Sequence, residues 1–353
     1  MALEDHVSEL AGEVEPADVS AREAARELHQ RLLKPPGSLG RLEDLGARLA
    51  GMAGASPPPL PENPAVVICA GDHGVLGQGV SPWPKEVTAA MVENFCAGSA
   101  AVNALARTVG ARVSVLDAGV ASELERHPLL RDAKVRPGTS ALSDGPAMSR
   151  EEGARAILAG AGVAEELIES GGVDLLVTGD MGIGNTTPAA CLVAAFTGRS
   201  AREVTGRGTG IDDATLELKT SVVEKALDLH SPDPTDPLGV LAALGGLEHA
   251  ALVGVILMGA LYGVPVLLDG VVSNSAALTA RSLAPHSVDY LVAGHLSFEP
   301  GARVALEKLD LQPLLDLEMR LGEGTGALLA VPLVQAAARV LGEMTTLDEA
   351  GIA

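Results

Sequence analysis

Glu323 stands between Gly322 and Gly324 in the run RLGEGTGALLA, residues 320–330, just ahead of an apolar stretch. A carboxylate whose neighbours carry no side chains can meet a flat ring or a sugar closely. The apolar residues that follow strip water from it and raise its pKa, which suits a general base near neutral pH. Thr325 is the expected N-cap of the next helix. Leu328 then occupies the place where a capping box needs Glu or Gln, so Glu323 has no capping-box role. The competing reading is a solvated acid favoured by the dipole at a helix start.

Other polar loops follow short apolar runs. In AGDHGV, residues 70–75, Asp72 and His73 read as a metal pair, a catalytic pair or a polar loop bonding its own backbone. No second cluster of His or Cys lies at ligand spacing, so the structural reading is preferred and no metal is expected. Cys69, Cys96 and Cys191 show no C-x-x-C spacing and are expected to be buried free thiols. In TGDMGIGNTTPAA, residues 178–190, Gly182 and Gly184 precede Asn185, and a helix is expected to begin near Pro188. Free N–H groups and the positive end of a helix dipole make this an anion-binding loop. It is neither a P-loop nor a G-x-G-x-x-G turn. Asp180 would repel phosphate there, so it is read as bonding ribose hydroxyls or an N–H.

In TGRGTGIDDATLELK, residues 205–219, three glycines surround Arg207 and Thr209, and Asp212 or Asp213 caps the following helix. Lys219 lies two turns into that helix, either solvated or reaching back to a phosphate. The stretches LLDGVVSNSAALTA (267–280) and AGHLSFEPG (293–301) bring Asp269, Gly270, Ser273, Asn274, His295, Ser297 and Glu299 to strand ends. They read as the lining of a pocket.

The elements that position these loops are legible as repeats of strand, loop and helix. Apolar runs at 65–71, 112–119, 173–180, 264–270 and 289–295 each end in Gly, Asp or His, and Ala-rich helical sequence follows. Continuous apolar strands are buried parallel strands. The prediction is an α/β fold with a doubly wound, mainly parallel Rossmann-like sheet and its site at the strands' carboxyl ends. Residues 17–55 read as helices broken at Lys34–Gly37, SPPPLPENP at 56–64 as a stiff linker, and 326–343 as a helix that Pro332 starts or kinks. Residues 1–60 with 326–353 are therefore expected to form a small helical subdomain from both chain ends, beside a large α/β domain at 61–325.

The chain's 353 residues can bury a large core, but its net charge of −21 excludes a nucleic-acid groove, which needs a basic face. A small anion remains compatible, because backbone N–H groups and one or two cations hold a phosphate. The longest apolar stretch, AALVGVILMGALYGVPVLLDG, is interrupted by glycines and Pro265, so it reads as a buried helix and strand rather than a membrane span. The N-terminus MALEDHVSEL lacks the basic and apolar parts of a signal peptide, and a cytoplasmic protein is expected. Aromatics are only 2% of the chain, so Ala, Val and Leu must build the core.

The motifs KPPGSLGRLEDL (34–45), GDHGV (71–75), GDMGIGNTT (179–187), GRGTGIDD (206–213), VLLDGVVSNSAAL (266–278), GHLSFEPG (294–301) and RLGEGTGA (320–327) occur in this order. Together they resemble the nicotinate-nucleotide–dimethylbenzimidazole phosphoribosyltransferases. The resemblance implies transfer of ribose phosphate from nicotinate mononucleotide to 5,6-dimethylbenzimidazole, giving the lower-ligand arm of cobalamin. It implies a homodimer, no cofactor, and Glu323 as the catalytic base. Ser81, Met181 and Leu321 then match positions near the base pocket, and Gly182, Gly184, Asn185, Lys219, Gly270 and Ser297 match the ribose-phosphate region. Many members carry Glu where this chain has Asp180, and the shorter arm withdraws the carboxylate by about 1.5 Å. Other readings are a dehydrogenase, against which the missing glycine fingerprint counts, a structural acidic protein, and a catalytically silent nucleotide- or benzimidazole-binding protein of the same fold.

Overall fold

The computed structural model describes residues 2–352, and its six strands form one sheet in the order β3-β2-β1-β4-β5-β6. The strands are β1 (Pro64–Gly71), β2 (Arg112–Gly119), β3 (Leu130–Asp132), β4 (Leu175–Met181), β5 (Val266–Leu268) and β6 (Leu291–Ala293). Every pairing is parallel. The sheet has helices on both faces, so β1 reads PAVVICAG and is buried at every residue. Strand order reverses between β1 and β4. That reversal opens a crevice at the carboxyl ends, where the loops after β1 and β4 emerge.

Two strands are shorter than their apolar runs suggest, and β3 was not expected. Its sequence, LRD, has no apolar pattern and pairs with three residues of β2 at the sheet edge. The helices Arg150–Glu169 and Leu247–Leu261 pack closely on one another through glycine. A Cβ on Gly160 would lie 1.9 Å from the Ala251 carbonyl, and one on Gly254 would lie 1.9 Å from that of Ile157. Small residues thus replace aromatic bulk in this core.

Helices Val19–Arg31 and Arg41–Ala53 meet the long helix Thr325–Glu343 through Ala25, Ala47, Ala50 and Leu341. The first helix, Leu3–Gly12, lies instead against Arg150–Glu169. Pro332 sits inside Thr325–Glu343 and does not start it. That helix is long and apolar enough to cross a bilayer, yet it packs on Arg41–Ala53, Ala101–Val109 and the strands β4 and β5. Cys69 and Cys191 are buried free thiols as expected, while Cys96 is only half-buried.

Candidate active site

The loop after β4 turns sharply because nothing larger than glycine fits. A Cβ on Gly182 would lie 2.3 Å from the Gly71 carbonyl, and Gly184 has φ +89°. Ile183 N–H donates to Thr88 Oγ1 at 3.1 Å, which pins the loop to the preceding layer. The helix begins at Thr186, a little before the expected Pro188. Asp180 ends up buried, and the Asn185 side-chain amide donates to its Oδ2 at 2.9 Å. Burial, then the nearby Asp269 carboxylate, push the Asp180 pKa up to about 8, while the Asn185 hydrogen bond opposes the shift. At neutral pH Asp180 therefore holds a proton and can donate it in a hydrogen bond.

Lys219 does reach back toward this loop. Asp212 caps its helix by accepting from Thr215 N–H at 2.8 Å, which sets the helix start and aims Lys219 inward. Its ammonium is buried and donates to Thr186 Oγ1 at 2.7 Å and to the Gly206 carbonyl at 3.0 Å, both neutral oxygens. Burial lowers its pKa to about 8, against the pull of Glu299. Glu299 in turn accepts from Gly208 N–H at 2.7 Å and so holds the 205–210 loop over the cleft. A buried cation with neutral partners is arranged to take an anionic oxygen. Lys219→Ala is therefore expected to raise the nucleotide KM by about 10- to 100-fold with little change in kcat. Steady-state kinetics check this, and an unchanged KM removes Lys219 from the site.

The Glu323 loop has an unusual backbone. Gly322, Glu323 and Gly324 have φ of +82°, +64° and +86°, a left-handed run that disfavours side chains. Asp269 holds it in place. Its carboxylate accepts from Gly324 N–H at 3.2 Å, Gly326 N–H at 2.8 Å and Ala327 N–H at 3.0 Å. This is an anion at the start of the helix Thr325–Glu343, where the dipole and free N–H groups favour it. The N-cap is Gly324, not the expected Thr325, whose hydroxyl instead donates to the Gly322 carbonyl at 2.7 Å. Glu323 itself is 4% exposed, and its Oε2 has no hydrogen-bond partner among the described residues. Desolvation raises its pKa to about 7, a Val102 backbone hydrogen bond works against the shift, and Asp269 adds to it. Asp180 also comes close to this turn, its Oδ2 3.3 Å from where a Gly322 Cβ would sit.

These loops line a cleft at the strand ends. Ser81, Asp180, Gly182, Gly184, Asn185, Lys219, Gly270, Ser297 and Leu321 line it, as does Gly322. Met181 ends β4 half-buried, and neither Met181 nor Glu323 is among the residues that line this cleft. Ser273 and Asn274, expected in the pocket wall, are wholly buried in the helix Val271–Leu283. Helical geometry turned them into the core, which a list of strand-end residues does not foresee. Arg207, Thr186 and Arg320 line the cleft but were not singled out as site residues. Arg320 donates to the Gly208 carbonyl at 2.9 Å and so joins two of the loops. The signal was an Arg inside each glycine-rich run.

Comparison with known proteins gives the family. A phosphoribosyltransferase family profile matches residues 14–352. A nicotinate-nucleotide–dimethylbenzimidazole phosphoribosyltransferase of Salinispora tropica is 55% identical over 352 residues, covering 96% of each chain. One from Chloroflexus aggregans is 56% identical over 337 residues, covering 96% of this chain and 95% of the relative. The crystal structure of the Thermus thermophilus enzyme of that name superposes with a TM-score of 0.90 at 48% identity, covering 95% of this chain and 99% of that one. The chain belongs to the nicotinate-nucleotide–dimethylbenzimidazole phosphoribosyltransferase family.

Proposed function

We propose that the chain moves ribose 5-phosphate from nicotinate mononucleotide to 5,6-dimethylbenzimidazole, with Glu323 as the general base. The observation that carries the assignment of the base is the desolvated Glu323 carboxylate, with a pKa near 7 and its Oε2 without a partner among the described residues, next in the chain to cleft-lining Gly322. One benzimidazole nitrogen attacks C1′ as the bond from C1′ to nicotinate breaks. The bonding pair leaves with the pyridinium ring, which becomes neutral, so no strong acid is needed at the leaving group. The benzimidazole N–H proton passes to Glu323. The transition state resembles an oxocarbenium ion, and inversion at C1′ turns the β-nucleotide into α-ribazole 5′-phosphate. Lys219, Gly182, Gly184, Asn185, Gly270 and Ser297 serve the ribose phosphate. Ser81, Met181 and Leu321 serve the base. Protonated Asp180 donates a hydrogen bond between the two.

We further propose that residues 1–60 with 326–353 act as a small helical unit beside the large domain at 61–325, and that the chain works as a homodimer. Trp83, Phe298 and Leu321, each at least half exposed beside cleft-lining residues, support a covered face, and sedimentation velocity tests it. The test of the reaction is to mix protein with both substrates and quantify products by chromatography. Equal amounts of nicotinate and the riboside phosphate are expected. Nicotinate alone means hydrolysis and a mismatched acceptor pocket, with Asp180 the first position to change. Tight binding with no product supports the silent binding protein instead.

A further inference from the structure

Below the cleft, three buried side chains meet from segments far apart in sequence. His73 follows β1, and Glu248 and His249 open the helix Leu247–Leu261. Their exposures are 5%, 0% and 0%. Glu248 Oε1 lies 2.8 Å from His73 Nε2 and 2.7 Å from His249 Nδ1. Both contacts are at hydrogen-bond distance, so an N–H from each ring can reach Oε1. His73 Nδ1, His249 Nε2 and Glu248 Oε2 lack a hydrogen-bond partner among the described residues. Native interiors rarely leave such atoms unpaired, and a bound ion is one way to satisfy them. One N–H from each ring satisfies His73 Nε2, His249 Nδ1 and Glu248 Oε1, and leaves the other three atoms unpaired.

The three side chains present one ligand atom each within 4.8 Å of one another. The two imidazole rings stand 6.1 Å apart at 84°, edge to face, so they do not stack. Glycines make the room. A Cβ on Gly246 would lie 2.4 Å from His73 Cε1 and 2.5 Å from Glu248 Oε2, and one on Gly182 would lie 3.0 Å from His73 Nε2. Two imidazoles and one carboxylate form a donor set suited to zinc.

We propose that His73, Glu248 and His249 form a structural binding site for one divalent cation of the zinc class. Bonds of about 2.0–2.1 Å in a tetrahedral arrangement set neighbouring ligand atoms about 3.3 Å apart, so each nitrogen retreats from Glu248 by roughly 0.5 Å on loading. The ion brings two positive charges and Glu248 one negative. One positive charge is then left next to Gly182, under the loop that follows β4. The site ties the end of β1 to the helix Leu247–Leu261, and the proposal stands whether or not the assigned reaction roles hold. The sequence reading found no metal site because the partners of His73 lie some 175 positions away, in an apolar helix whose adjacent Glu and His were the only sign.

The full chain, dialysed against a chelator, is titrated with zinc chloride in competition with a zinc-binding dye. One zinc per chain is expected, and the unfolding temperature should rise by at least about 3 °C with zinc present. His249→Gln, with its fold checked by circular dichroism, should bind zinc about 100-fold more weakly. His286→Gln, at a surface position, should bind it as the wild type does. Cobalt in place of zinc should give visible absorption bands that His249→Gln lacks. If the wild type takes up no zinc and its unfolding temperature is unmoved, the proposal is overturned and hydrogen bonds from the two rings to Glu248 hold the cluster. If His249→Gln does not fold, the wild-type titration and the cobalt spectrum decide.

Discussion

Glu323→Gln is expected to lower turnover at pH 8 by about 100- to 10,000-fold while raising the unfolding temperature by a few degrees at the same pH. The two effects share one cause. Desolvation puts the Glu323 pKa near 7, against an ordinary 4.5. Between those values the folded chain binds more protons than the unfolded chain, so stability falls as pH rises through that window. At pH 8 the charged side chain costs about 1–2 kcal/mol after allowance for solvent screening, and the neutral amide removes that cost. Activity runs the opposite way, because only the ionised carboxylate accepts a proton. In the wild type, kcat/KM should rise with a limb near pH 7. It should fall again above about 8, where Lys219 loses its charge and Asp180 its proton. The three groups interact, so the limbs report macroscopic values. Thermal unfolding at pH 5 and 8 and a pH–rate profile check both halves. A stabilised variant with full turnover would leave Glu323 a strained acid without a catalytic role.

Asp269→Asn is the second large effect. The carboxylate accepts three backbone N–H groups around the left-handed turn, and His295 Nε2 lies 3.4 Å from its Oδ1. Asparagine keeps the shape but gives up the charge and one acceptor. The expected loss is about 2–4 kcal/mol of stability, read from denaturant unfolding, together with about 10- to 100-fold in turnover. Asp269 lies too deep to touch substrate, so it acts by placing Glu323. The double variant separates the roles. In the Glu323→Gln background, Asp269→Asn should cost stability as before but little further turnover. Additive losses in turnover would show that Asp269 acts on the reaction independently of Glu323.

The fold was legible where local sequence decides it. Runs such as PAVVICAG and VDLLVTGD read as buried parallel strands because both of their faces must be apolar. The strand β3 was not, since LRD becomes a strand only by pairing with β2. Much of the cleft was also legible, because glycine-rich strand ends announce close backbone approach. The support beneath it was hidden. Asp269 was read as one pocket-lining polar residue among several, although its three backbone partners lie 55 to 58 residues away. Thr325 was read as a cap because its type fits, while the clamp from Asp269 moved that role to Gly324. Long-range hydrogen bonds decided these details, and no window along the chain contains both partners.

The most direct test of Glu323 as general base compares wild type with Glu323→Gln across benzimidazoles of increasing N–H acidity, from the dimethyl to nitro-substituted rings. A more acidic N–H needs less help in losing its proton. The ratio of wild-type to variant kcat/KM should therefore fall steadily as acceptor acidity rises. A ratio that stays constant across the series would contradict the account, because it would mean that the substitution harms the site without touching the proton transfer.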